Sequence, residues 1–139
     1  MVIRQLLLMK NIFKIFAAVS VLFSLYGCAK PESEFLHSDN TISSIIMYPE
    51  NGRSDRAVSG VIDQETGEIS FPIPKVFRND YDPTRVKVKA TVGYDVKITP
   101  SLLGIKDLDN GGDGLEIAVT ATMTGESKTY VLKAYYSRN

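Results

Sequence analysis

The chain has 139 residues, with 16 basic and 16 acidic side chains, one histidine, one cysteine and no tryptophan. That length suits one domain. Arg4, Lys10 and Lys14 lie in an N-terminal apolar segment without acids; the rest carries 13 basic against 16 acidic residues, a net of −3. A mildly acidic body argues against a nucleic-acid partner, which requires a basic face, and a single cysteine excludes both an intrachain disulfide and a thiolate metal cluster.

The first element in chain order reads as a secretory signal. Lys10 and Lys14 give a basic start, and Ile15–Tyr26 is an apolar run of twelve residues. A bilayer span needs about 20. The run ends in Leu25-Tyr26-Gly27-Cys28, which resembles the lipobox of bacterial lipoproteins. Leu at −3, a small residue at −1 and Cys at +1 fit that pattern, whereas Tyr26 stands where a small residue is usual. The resemblance implies cleavage after Gly27 and acyl chains on Cys28, so that the protein is held on a membrane without spanning it. Two or more chains make such an anchor stable. Met9-Lys10-Asn11 also resembles a start site, which would make residues 1–8 an upstream extension. The competing reading is an uncleaved membrane helix over residues 2–26. Ala29 after the cysteine, rather than Asp, favours the outer membrane by the enterobacterial sorting pattern. Lys30-Pro31-Glu32-Ser33-Glu34 loosely resembles the tether of surface-exposed Bacteroidetes-type lipoproteins.

Residues 28–40 read as a lipidated flexible tether, and residues 41–139 as the domain. From residue 41 the apolar period is two, the mark of half-buried strands. Seven strands are predicted, over 42–48, 57–63, 68–73, 85–92, 94–99, 115–121 and 128–136. Gln64-Glu65-Thr66-Gly67 reads as a hairpin turn with Gly67 at positive φ. Pro72 and Pro74 place the third strand's end at a sheet edge. Val86, Val88, Ala90 and Val92 alternate with Arg85, Lys87, Lys89 and Thr91, so that strand belongs to an antiparallel sheet wet on one face. The expected fold is all-β: a single antiparallel immunoglobulin-like β-sandwich, with barrel closure as an alternative.

The stretches Val96-Lys97-Ile98-Thr99-Pro100, Ile117-Ala118-Val119-Thr120-Ala121 to Gly125, and Lys128-Thr129-Tyr130-Val131-Leu132 resemble the closing strands of small immunoglobulin-like or cadherin-like domains. Such domains occur in Bacteroidetes-type surface lipoproteins, commonly as accessory modules, many of them in glycan-uptake systems. Met123-Thr124 departs from the polar turn usual there.

Candidate chemistry is sparse. Asp107-Leu108-Asp109-Asn110-Gly111-Gly112-Asp113-Gly114, with Glu116 beyond, is oxygen-rich, but Gly111 stands where an EF-hand needs a ligand. A flexible loop is the plainer reading, and no metal is assigned. His37 lies in the tether, a poor place for a Ser-His-Asp site. Asp80, Asp82 and Asp95 could serve as acid or base, but nothing in the pattern selects them. No phosphate loop or dinucleotide fingerprint is present, and no cofactor is called for. Tyr135, Val131 and Tyr94 could form a second-face patch for sugar rings or a protein; the alternative is that Val131 and Tyr135 pack under a loop or the second sheet.

The chain is therefore expected to be non-enzymatic: a membrane-anchored binding or assembly module whose partner is an envelope protein or a glycan. A surface-fibre subunit or spacer, with the last strand as edge or donor, is the alternative, and a small envelope hydrolase the remote one. Cys28→Ser is expected to leave the domain folded and to release it from the membrane fraction. Retention of that variant through residues 2–26 contradicts the lipid anchor.

Overall fold

The computed structural model describes Arg4, Gln5, Met9, Asn11 and residues 37–139. The chain divides into two compact units, Met1–Phe35 and Leu36–Asn139. In the first, the four described residues are helical. Most of the expected signal, the Gly27–Cys28 junction and most of the tether lie outside the described residues. Among those described, no helix is long and apolar enough to cross a membrane, which says nothing of a β-barrel.

The second unit is all-β, two sheets enclosing one apolar layer. Its strands are β1 (Ile42–Pro49), β2 (Val58–Ser59), β3 (Val61–Ile62), β4 (Glu68–Ile73), β5 (Val86–Val92), β6 (Val96–Thr99), β7 (Leu115–Ala121) and β8 (Ser127–Tyr136). One sheet has the order β2-β1-β5, the other β3-β4-β8-β7-β6. Period-two alternation supplies the inner faces. Ile69, Phe71 and Ile73 of β4, Ile117 and Val119 of β7, and Tyr130 and Leu132 of β8 are buried against Ile42, Ile45, Met47 and Val86 of the smaller sheet. Fully burying one such side chain contributes roughly 1.5–3 kcal/mol. In β1 the inward residues Ile42 and Ile45 are three apart; a bulge between Ile42 and Ser44 absorbs the extra residue, and Ser43 Oγ donates to Thr91 O at 2.9 Å.

Three expectations need correction. The predicted strand 57–63 is two short strands in different sheets. Gly60 sits between them, its N–H donating to Ile45 O at 2.9 Å. A Cβ there would lie 2.5 Å from Ile45 Cγ2 and 2.9 Å from Phe71 Cε1, so only glycine lets the chain cross at this point. Second, the larger sheet is mixed: β4 runs parallel to β8, with Glu68 opposite Val131 and Ile73 opposite Tyr136. The long excursion through the smaller sheet between them supplies the crossover that parallel strands need. Third, the last strand is no edge. β8 lies between β4 and β7, and the edges are β3 and β6 in one sheet, β2 and β5 in the other.

Other local readings hold. Gly67 has φ +76 and its N–H donates to Asp63 O, closing the β3–β4 hairpin. Pro72 follows Glu68 and Ser70 in alternation, and their backbones face β3. Since β3 ends at Val61, opposite Ser70, the N–H that Pro72 lacks faces the open edge and no ladder bond is lost. Gly60→Val is expected to lower stability by about 1–3 kcal/mol through overpacking. Urea unfolding reads this as a lower midpoint at unchanged slope; an unchanged midpoint contradicts the crossing.

Candidate functional site

The β5–β6 connection positions the site. Val88, Ala90 and Val92 face inward from the end of one sheet, and Val96 and Ile98 from the end of the other. The chain turns between them through Gly93-Tyr94-Asp95. Asp95 has φ +56, and its carbonyl accepts from Thr122 N at 2.7 Å and Thr122 Oγ1 at 2.8 Å. Two consecutive strands thus end opposite sheets on the same flank, and the sandwich is open there.

The flank holds a slot of about 430 Å³. Its floor is Ala90, Val92, Val96, Ile98 and Leu102, all only half-buried. Leu103, 85 % exposed, stands at its mouth. Lys89 and Lys97 lie on its rims. Beyond β6 the chain returns to the smaller sheet for a single bridge: Val86 N donates to Lys106 O at 3.0 Å, and Lys106 N to Val86 O at 2.7 Å.

The backbone of β5 is half-used. Because Val86 presents its backbone to Lys106, strand alternation directs the N–H and C=O of Val88 and Ala90 to the same open side. Lys87 and Lys89 turn theirs toward β1, opposite Tyr48 and Ile46. Beyond Val86, β5 has no partner on its outer edge among the described residues.

A second hollow, about 340 Å³, lies at the far end of β8 between Pro83, Thr84, Asp109, Ala134, Tyr135 and Tyr136. Tyr136 Oη donates to Tyr81 O at 2.9 Å, and the Arg78 guanidinium stacks over its ring at 5.2 Å. Tyr135 and Tyr136 are both exposed, although strand alternation turns them to opposite faces. Tyr136 has the inward parity but lies past the end of the core. Val131 and Tyr135 share the outer face of the larger sheet. Tyr94, 85 % exposed, lies in the β5–β6 turn at the sheet's opposite end, so the structure does not assemble the expected three-residue patch.

Asp107, Asp80 and Asp82 have structural partners. Asp107 Oδ1 accepts from Asp109 N and Asn110 N at 2.9 and 2.8 Å, and Asn110 Nδ2 donates to Gly114 O. The acidic loop is thereby tied to itself, and among the described residues no group of three or more His, Cys, Asp or Glu could hold a metal. Asp80 pairs with Arg56 at 3.0 Å and Arg53 at 3.8 Å. Asp82 accepts from the Thr84 hydroxyl and N–H. His37 is exposed, its ring 6.5 Å from that of Tyr94. The chain's reading by pattern missed Tyr81, placed in a loop but buried; its hydroxyl lies 2.6 Å from Arg56 O and 3.0 Å from Met47 O and donates between them, and burial raises its pKa. It also missed Tyr130 as a polar pillar: the hydroxyl donates to Gln64 Oε1 at 2.8 Å.

No family model and no curated protein matches the sequence. Two solved structures share the fold. A presumed glycoside hydrolase of Bacteroides thetaiotaomicron is 14% identical over 74% of this chain and 26% of that one, with a TM-score of 0.54. A DUF4623 family protein of Bacteroides eggerthii is 17% identical over 73% and 22%, TM-score 0.50. A presumed secreted protein of Bacteroides fragilis is 14% identical over 74% and 99%, TM-score 0.49. The chain thus spans about a quarter of the length of the first two. At these identities the likeness to the first two is one of fold.

Turn carboxylates give the domain an acid limit. Backbone N–H groups of Thr66 and Glu65 hold Asp63 below the usual carboxylate range, and the Thr84 hydroxyl and N–H do so for Asp82. A lowered folded-state pKa contributes stability above the unfolded value, about 3.9, and loses it as pH falls through the folded value. The thermal midpoint is expected to be level from about pH 7 to 5 and to fall below about pH 4. Asp63→Asn with Asp82→Asn should flatten that fall; an unchanged acid limb contradicts the assignment.

Proposed function

We propose that the chain is a lipid-anchored envelope protein of the outer membrane whose sandwich is a non-catalytic binding module for another protein. The observation that carries the binding reading is the open flank: an apolar slot beside a strand edge with unpaired backbone groups. Solvent-facing valine, isoleucine and leucine with free N–H and C=O groups suit a protein segment better than a sugar. The lipobox-like Leu25–Cys28 supports the anchor. The carboxylates whose pKa values shift are all lowered, toward permanently charged surface groups and away from a proton donor near neutral pH. The fold also occupies about a quarter of the presumed glycoside hydrolase, so it is a unit that longer chains carry beside other parts.

A second reading, glycan capture, rests on the hollow at Tyr135 and Tyr136, where two exposed rings lie beside Asp109. Pull-down from envelope extracts and a glycan array separate the two. Capture of a defined protein, lost on Ile98→Asp and kept on Tyr135→Ala, is expected. Sugar binding lost on Tyr135→Ala establishes the second reading instead. Reproducible hydrolysis abolished by a point substitution overturns both.

A further inference from the structure

The geometry points to the outer edge of β5 as a strand-acceptor site for an extended segment of alternating acidic and apolar residues from a partner protein. This rests on the binding reading above and specifies its partner.

The topology explains why the edge is free. In a seven-stranded sandwich with sheets ABED and CFG, strands D and E come between C and F, and E pairs along B. Here β5 and β6 are consecutive and lie in opposite sheets, as B and C do, and β6, β7 and β8 lie side by side. Between β6 and β7 the chain supplies only the Val86–Lys106 bridge. Continued in the same antiparallel register, that bridge would set Gly104 opposite Val88 and Leu102 opposite Ala90. Gly104 has φ +81, and the chain leaves the line there. The slot is the space beside β5 that a full strand would line.

Two properties of the edge specify its occupant. The first is hydrogen bonding: the outward N–H and C=O groups of Val88 and Ala90 accept a strand in ladder geometry. Alternate side chains of that strand would enter the slot over Ala90, Val92, Val96 and Ile98, and the others would stand on the outer face of the sheet. The second is charge. Lys87 and Lys89 project from that outer face, Lys97 lies on the opposite rim, and Lys106 itself forms the bridge to Val86. None of the four forms a salt bridge among the described residues, and no acid lines the slot. Opposite-charge cross-strand pairs stabilise and like-charge pairs oppose. The lysines therefore discourage a second copy of β5, as edge lysines commonly do, and favour carboxylates at alternate positions of the incoming strand.

The test uses the full chain in zwitterionic lipid nanodiscs, with an acetylated nonapeptide of alternating valine and glutamate, its valine–lysine counterpart, and a medium-chain fatty acid as a slot-filling probe. The valine–glutamate peptide is expected to bind, more weakly as salt rises, and to slow amide exchange at Val88 and Ala90. Lys89→Glu with Lys97→Glu should weaken it at least tenfold and admit the valine–lysine peptide. Ala90→Pro removes one outward N–H from an edge position where proline is tolerated. With an unchanged thermal midpoint, it should abolish peptide binding while leaving fatty-acid binding intact. Equal binding of both peptides, or peptide binding untouched by Ala90→Pro, overturns the strand site. Fatty acid alone entering the slot overturns the strand proposal but keeps the slot as a ligand site; no probe entering it overturns both.

Discussion

Everything in the domain depends on one apolar layer shared by two sheets, and on how the chain crosses it. At Gly60 the backbone passes from the smaller sheet to the larger with Ile45, Ile69 and Phe71 packed directly against it. That crossing puts β4, with β3 on its outer side, alongside β8 and makes the larger sheet mixed. At the other flank the crossing is made by the β5–β6 turn, and no strand follows to close it. The core is sealed by close packing at one flank and left as a slot at the other.

Two tyrosines serve the sealed part as polar pillars. Tyr130 carries its hydroxyl from the core to Gln64, whose Nε2 donates to Ile42 O at 2.9 Å. Tyr81 reaches backbone carbonyls of β1 and of the turn before β2. Buried hydroxyls must find partners or cost stability, so both rings also fix the loops they reach. These contacts explain how a domain of this size holds long connections in place, while the stretch between Thr99 and Lys106 keeps Leu103 in solvent.

Much of this was legible in the sequence. Alternation in 85–92, 115–121 and 128–136 located three strands within a residue, and Gln64 through Gly67 announced a hairpin that needs positive φ. Illegible were the features that depend on partners distant in the chain. Alternation continues through Gly60, so nothing local marks a change of sheet. A valine-rich strand reads alike with one neighbour or two, so the free edge of β5 and the central place of β8 could not be read from period. Tyr81 lies among turn residues, Asn79 to Pro83, whose chemistry describes the backbone and not the ring. For the site, the sequence pattern pointed to tyrosines and acids, which have polar appetites visible in composition. The slot is made by ordinary core residues at the place where the core is uncovered.

The most direct test of that account is amide hydrogen exchange along β5 in the free protein. Alternation in pairing predicts that Lys87 and Lys89, bonded to β1, exchange slowly, while Val88 and Ala90 exchange quickly at the open edge. Equal, strong protection of Ala90 and Lys89 would mean that the edge is already paired, and would contradict the open flank on which the function proposed here rests.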